Sequence, residues 1–238
     1  MLRMLDLFSG IGGFSYAGEK LVGGYETVAF CEYDKHAQKV LRKHWPDTEI
    51  IDDVRELAND AERFRGSVDL ICGGYPCQPF SVAGVRRGDK DDRHLWPEML
   101  RIIQAVRPTW VIGENVAGHI SMGLDEVLSD LEAAGYQARC FVIPAVGADA
   151  PHKRDRCWTV AHADSEGEPD GTKHEQWLAE AKDGGDFGRC RWKPEPELGR
   201  VANGIPNRVY RLRQLGNSIT PQVAARILYA IKEAHEQT

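Results

Sequence analysis

The segment Leu5–Phe14, LDLFSGIGGF, constrains the chain more than any other. A short apolar, strand-like run leads at once into Gly10, Gly12 and Gly13, and then into a helix-like stretch. Glycines permit a tight turn and a close approach of backbone to a ligand, while the first N–H groups of the following helix point at the same spot. A strand, glycine turn and helix in this order open the crossover units of parallel sheets, whose ligands sit at the carboxyl ends of the strands.

The next segments continue the alternation. Strand-like runs occur at Met4–Phe8, Thr27–Cys31, Val68–Cys72, Trp110–Gly113, Phe141–Pro144 and Trp158–Ala161. Between them the apolar spacing predicts helices at Phe14–Leu21, Lys35–His44, Val54–Phe64, Leu95–Val106 and Leu124–Ala133. Short β-branched runs separated by amphipathic stretches favour an α/β sheet over a sandwich. From Asp164 to Pro196 the chain turns rich in Gly, Asp, Glu and Lys and loses periodicity, which reads as a loop-rich insertion. Thr220-Pro221 then predicts an N-cap and a first-turn proline for a helix running to about Ala234.

At 238 residues the chain suits one domain, or a domain with a small appendage. No apolar run reaches the length of a membrane span or a signal-peptide core, so a cytoplasmic protein with no membrane partner is expected. The six cysteines (31, 72, 77, 140, 157 and 190) have neither zinc-site spacing nor the density of a disulfide framework. Most are therefore expected to be buried thiols, with no metal bound. The net charge of −6 argues against a strong non-specific DNA binder. That charge is uneven: Arg189 to Arg213 holds seven Arg or Lys against two Glu, a stripe suited to phosphates.

Two carboxylates extend the glycine-turn argument. Glu32 follows TVAFC and Asp53 follows TEIID, both at strand ends, where a carboxylate can accept hydrogen bonds from ribose hydroxyls. With the glycines they favour an adenosine-containing cofactor, and their spacing leaves a nicotinamide and S-adenosylmethionine both open.

The segment Ile71–Ser81, ICGGYPCQPFS, bears on that choice. It starts at a strand end, and Pro76 and Pro79 stiffen the backbone on either side of Cys77. A thiol held on such a loop is better placed to attack than to pack. This segment resembles the catalytic motif of the cytosine-5 DNA methyltransferase family, and the glycine turn resembles that family's cofactor motif. The resemblance continues in the family's order through ENV (Glu114–Val116), HKRDR (His152–Arg156) and LGNSITP (Leu215–Pro221). It leaves out roughly residues 163–199 and suggests a compact bacterial or phage-like member. The family commonly has Gln where this chain has His152.

The resemblance implies an α/β fold of the Rossmann-like, S-adenosylmethionine-dependent methyltransferase type. Such a fold has a mixed, mostly parallel sheet with helices on both faces, plus a small loop-rich target-recognition lobe. The chain would divide into a catalytic and cofactor-binding domain (1–162), a target-recognition region (163–208) and a C-terminal segment that returns to the catalytic domain (209–238). It implies Cys77 as the nucleophile, Glu114 as the group that handles the proton at ring N3, and Arg154 and Arg156 as contacts to the base. On an extended segment those two arginines would point the same way.

For S-adenosylmethionine, with S-adenosylhomocysteine as product, the resemblance implies contacts from Phe8, Gly10, Gly12, Gly13, Glu32, Tyr33, Asp53 and Asn217. Phe8 and Tyr33 would pack on the adenine, Glu32 would hold the ribose, Asp53 the adenine amino group and Asn217 the methionine end. Ser81, Arg86 and Arg93 fall in a polar loop beside Cys77, and Arg191 and Trp192 in the variable region; all five are expected on DNA. The implied partner is double-stranded DNA, with a cognate restriction endonuclease alongside and a monomeric enzyme in a bacterial or phage-infected cell. An RNA cytosine methyltransferase is a rival, disfavoured because the chain lacks a CFT tripeptide. A DNA-binding module that has lost catalysis is another, opposed by the retention of Cys77, Glu114 and both arginines.

Overall fold

A computed structural model describes residues 1–76, 94–163 and 214–237 of the chain. Seven strands form one sheet: β1 (Leu2–Leu7), β2 (Tyr25–Cys31), β3 (Glu49–Ile51), β4 (Leu70–Gly73), β5 (Trp110–Val116), β6 (Tyr136–Pro144) and β7 (Asp155–Ala163). Their order across the sheet is β3-β2-β1-β4-β5-β7-β6. β1 to β5 are joined by parallel pairings, while β7 runs antiparallel between β5 and β6. This is the mixed, mostly parallel sheet of the Rossmann-like methyltransferase fold. The strand order reverses at β1, which makes its carboxyl end the switch point, the place where open α/β sheets bind their ligands.

Alternation along the strands explains why both faces are covered. Leu5 and Leu7 of β1, Ile71 of β4 and Val111 of β5 enter one apolar cluster. That cluster also takes residues of α3 (Val54–Asp60), α4 (Trp96–Val106) and α5 (Leu124–Ala133). Leu2 and Met4, Leu70 and Cys72, and Trp110 and Ile112 enter the opposite cluster. There they meet α1 (Gly13–Tyr16) and the last helix, α6 (Pro221–Glu236). A period of two in strands buried on both sides gives two cores from one sheet.

The remaining helix, α2 (Lys35–His44), spans the range its periodicity predicts. Its N-cap is Asp34, whose side chain accepts from the His36 and Ala37 N–H groups at 2.7 and 3.2 Å. Thr220 holds the N-cap position of α6 and Pro221 its first turn, but the Thr220 hydroxyl makes no capping bond.

Several boundaries differ from the sequence expectation. β1 stops at Leu7 because Phe8 takes a φ of 52°, outside extended geometry. After α1 the helix widens into a π-helical stretch, Ala17–Val22, closed by a Gly23 N–H to Gly18 carbonyl bond of 2.8 Å. α3 tightens into a 3₁₀ turn at Ala61–Phe64. β6 and β7 each run to nine residues, longer than their apolar cores alone suggest. Among the cysteines, Cys31 and Cys72 are buried thiols. Cys140 and Cys157 depart from that expectation: their sulfurs meet as a disulfide across β6 and β7, with Cα atoms 6.4 Å apart. No helix among the described residues is long and apolar enough to cross a membrane.

Candidate active site

The turn after β1 is fixed from several sides. Gly12 takes a φ of 83°, and a Cβ built there would stand 2.7 Å from the Trp45 ring, so conformation and space both demand glycine. At Gly13 a Cβ would stand 2.6 Å from Ile219 Cγ1, which seats the segment before α6 directly on the turn. Gly10 is different: apart from its own chain neighbours, no described atom lies within 4 Å of a Cβ built on it. Inside the turn, the Ser15 hydroxyl donates to Asp6 Oδ2 at 2.8 Å and the Ser9 hydroxyl to the Asp6 carbonyl at 2.5 Å. Asp6 has no exposed surface, and burial pushes its carboxyl up to about 8, with the Ser15 hydrogen bonds only partly opposing.

Glu32 ties the turn to the residues that follow β2. Its Oε2 accepts the Gly10 N–H and its Oε1 the Asp34 N–H, each at 2.7 Å. Tyr33 is 78 % exposed and so is no core residue, whereas Phe8 is half-buried and packs on the first cluster. Asp53 serves as the N-cap of α3, accepting the Arg55 N–H at 2.8 Å with the Arg55 guanidinium 3.8 Å away. Asn217 is exposed, in the segment seated on Gly13.

The second half of the site lies at the ends of β4 and β5. Glu114 is 8 % exposed, and its Oε1 meets Arg156 Nε at 2.9 Å. Its Oε2 faces Gly74, where an added Cβ would be 3.2 Å away. The β5–β7 register explains the arginine contact: Trp158 is directly opposite Glu114, so Arg156 is the diagonal neighbour on the same face. Burial raises the Glu114 pKa above the ordinary carboxylate value, and the pull of Arg156 and Arg154 only partly offsets it. Asn115 donates through Nδ2 to the Tyr75 carbonyl at 3.1 Å, which holds the chain two residues before Cys77.

Sequence reasoning did not single out three further contacts. The Tyr75 hydroxyl meets His119 Nε2 at 2.9 Å, and the Tyr75 ring packs on Trp96 with centroids 5.1 Å apart. Asp6 and Ser15 form the buried brace beneath the glycine turn. An aspartate set inside the apolar run MLRMLDLF was the available signal for that brace.

The two arginines part company. Arg156 lies on β7 and pairs with Glu114. Arg154 precedes the strand with a φ of 42°, so the alternation that would align the pair does not reach it. Its Nη2 donates to the Gly216 and Ser218 carbonyls at 2.8 and 2.7 Å. Cys77, Ser81, Arg86, Arg93, Arg191 and Trp192 lie outside the described residues, as does nearly all of the expected recognition region. Among the described residues no group of three or more His, Cys, Asp or Glu side chains is arranged to hold a metal ion.

A family model described as C-5 cytosine-specific DNA methylase matches residues 2–188. The chain belongs to this family. Among its relatives, the Type II methyltransferase M.HgiCII of Herpetosiphon aurantiacus is 32 % identical over 173 residues, covering 71 % of this chain and 39 % of the relative. The Type II methyltransferase M.Bsp6I of Bacillus sp. is 35 % identical over 168 residues, covering 67 % and 52 %. The match thus takes in between about two fifths and a half of these relatives' length. Among solved structures, the Dnmt2 methyltransferase of S. pombe aligns with a TM-score of 0.61 at 26 % identity, covering 71 % of this chain and 53 % of that one. A prophage-encoded DNA modification methyltransferase from E. coli, described as putative, aligns with a TM-score of 0.57 at 24 % identity, covering 68 % and 47 %. Both share the fold, and the methylase family assignment rests on the sequence match.

Proposed function

We propose that this methylase-family protein is a DNA (cytosine-5)-methyltransferase acting through a covalent Cys77 adduct. It would transfer a methyl group from S-adenosylmethionine to carbon 5 of a cytosine flipped out of the duplex. The Glu114 carboxyl carries this reading. It is buried, has a raised pKa, is paired with Arg156 through one oxygen and faces Gly74, three residues before Cys77, with the other.

The residues around the glycine turn suit the cofactor. Glu32 sets a carboxylate against the Gly10 N–H, and Tyr33, next to it in the chain, offers an exposed ring. Phe8 and Asp53 would complete the adenine side, and Asn217 the methionine end. When bound, S-adenosylmethionine supplies an electrophilic methyl group on a sulfonium.

The chain's own residues then make cytosine reactive. The Cys77 thiolate adds to carbon 6, forming a sulfur–carbon bond and moving an electron pair toward carbon 5. Glu114 holds a proton at ring N3 and so neutralises the charge that builds there, a task its raised pKa favours. Arg156 orients the carboxyl from the far side. Carbon 5 would take the methyl group as its bond to the sulfonium breaks and S-adenosylhomocysteine leaves; loss of the carbon 5 proton to solvent, with departure of the thiolate, would then restore the ring. Buried with raised pKa values, Cys31 and Cys72 are unsuited to the nucleophile's part.

Duplex DNA is the substrate in this reading. Extrusion of the base costs about a few kcal/mol of unstacking and unpairing. Ser81, Arg86 and Arg93 would hold phosphates, and Arg191 and Trp192 would contribute groove contacts. The enzyme acts as a monomer without metal, and its Type II relatives favour pairing with a restriction endonuclease.

Transfer of a labelled methyl group from S-adenosylmethionine to mixed-sequence duplex DNA, followed by base analysis, tests this function. Wild type should produce 5-methylcytosine and Cys77→Ser none. Transfer to tRNA and not to DNA would move the activity to RNA, and transfer to neither would refute the assignment.

A further inference from the structure

We propose that Arg154 is a positioning residue for the cofactor pocket, one that clamps the segment carrying Asn217 onto the glycine turn. This inference rests on the methyltransferase reading above and deepens it by moving Arg154 from the base to the cofactor.

The hydrogen bonds come first. Arg154 Nη2 donates to the Gly216 carbonyl at 2.8 Å and to the Ser218 carbonyl at 2.7 Å. These are the carbonyls on either side of Asn217, so one guanidinium nitrogen fixes the peptide that presents the Asn217 side chain. Bonds from a charged donor are shorter and stronger than neutral ones, and two at one nitrogen restrict direction as well as distance.

The clamped segment is part of the pocket wall. Gly13 is so close to it that a Cβ there would stand 2.6 Å from Ile219 Cγ1 and 3.5 Å from Ser218 Oγ. The segment also has its own internal tie, from the Ser218 N–H to the Gln214 carbonyl at 2.9 Å. Movement of Gly216–Ser218 would therefore be felt at the glycine turn, and Arg154 is the side chain that reaches across some sixty positions of chain to hold it.

The backbone accounts for the direction taken. Arg154 has a φ of 42°, a left-handed value that an arginine adopts at a cost. The carbonyls of Lys153 and Arg154 accept the Ala145 N–H at 2.7 and 3.3 Å, which pins the turn from the β6 side. Two residues on, Arg156 is back in the strand and turns to Glu114. One irregular residue thus gives neighbouring arginines different partners, Glu114 for Arg156 and the Gly216 and Ser218 carbonyls for Arg154. Burial and the neighbouring Arg156 both lower the Arg154 pKa from its ordinary value, so the two carbonyls also compensate a charge held near another of the same sign.

Calorimetric titration of S-adenosylhomocysteine into the full-length protein without DNA tests the assignment. Arg154→Ala should weaken binding by about ten- to a hundredfold, as expected for the loss of charged hydrogen bonds. Arg154→Lys should recover part of that loss. Asn217→Ala should weaken binding too, and Arg154→Ala added to it should cost much less than it does alone, because the two act through one contact. With S-adenosylmethionine as substrate, the KM for cofactor should rise while kcat at saturation and DNA affinity hold. Cofactor affinity unchanged in both Arg154 variants, with kcat or DNA affinity reduced instead, would overturn the inference and leave the enzyme assignment standing. Additive losses in the Asn217→Ala background would overturn it as well. Wild type that binds no S-adenosylhomocysteine would overturn the methyltransferase reading and this inference with it.

Discussion

Asp6 is a carboxyl group without exposed surface, held by Ser15 beneath the turn that would take the cofactor. Because burial raises its pKa to about 8, the folded protein keeps a proton that the unfolded chain releases near pH 4. Stability from this group is therefore intact at low pH, falls as pH rises from about 4 to about 8, and levels off above, a loss on the order of 5 kcal/mol. Urea unfolding of wild type and Asp6→Asn across that range should show the wild-type stability declining relative to the variant. Parallel curves would mean that Asp6 is ionised in the native state. Glu114 answers to activity instead. Glu114→Gln should lower kcat about a hundredfold or more while leaving cofactor KM unchanged, measured by steady-state methyl transfer. Glu114 and Arg156 were singled out through the family resemblance, but their pairing was not, because the register of β5 against β7 leaves no mark in either motif. Nor was the direction of Arg154 legible, because alternation presumes extended backbone and one positive φ cancels it. The Asp6–Ser15 brace was hidden since a carboxylate inside an apolar run gives no hint of which hydroxyl it meets.

At the level of elements, the site depends on how the ends of β4 and β5 are tied together. Tyr75, just after β4, reaches His119 in the 3₁₀ turn (Ala117–Ser121) that follows β5, while Asn115 holds the Tyr75 carbonyl. Burial lowers the His119 pKa, which favours the neutral ring beside the Tyr75 hydroxyl. Tyr75→Phe keeps the ring packing on Trp96 and deletes the hydroxyl. It should cost about 1–3 kcal/mol of stability in denaturant unfolding and lower kcat, with cofactor affinity unaffected. Unchanged kcat would show that this tie does not position the cysteine loop. Elements with strong periodicity or caps, such as α2 behind Asp34, were legible to the residue. β3 is three residues long and was seen only through the carboxylate after it, since so short a strand carries no periodic signal. β6 and β7 outran their apolar runs because antiparallel pairing with each other extends them beyond the part of the core they cover.

Across the whole molecule, one sheet supports two cores, and the chain's last helix belongs to the second. Leu228 and Ile231 of α6 join Leu2 and Met4 of β1, and the Tyr25 hydroxyl donates to the Leu228 carbonyl at 2.6 Å. The C-terminal segment therefore stabilises the start of the strand whose other end leads into the glycine turn. Leu228→Ala should destabilise the fold by about 2–5 kcal/mol in urea unfolding. Less than about 1 kcal/mol would show that the second core does not depend on α6 packing there. The α/β class was legible from alternation alone, whereas the antiparallel return of β7 between β5 and β6 was not, because strand order leaves no local mark in a sequence. Covalent capture on duplex DNA containing 5-fluorocytosine tests the central claim most directly. Fluorine at carbon 5 leaves no proton to lose after methyl transfer, so the Cys77–carbon 6 bond cannot break. Wild type with S-adenosylmethionine should give a one-to-one complex that survives denaturation, and Cys77→Ser should give none. A wild-type protein that binds this DNA and cofactor yet forms no such complex would contradict the covalent mechanism.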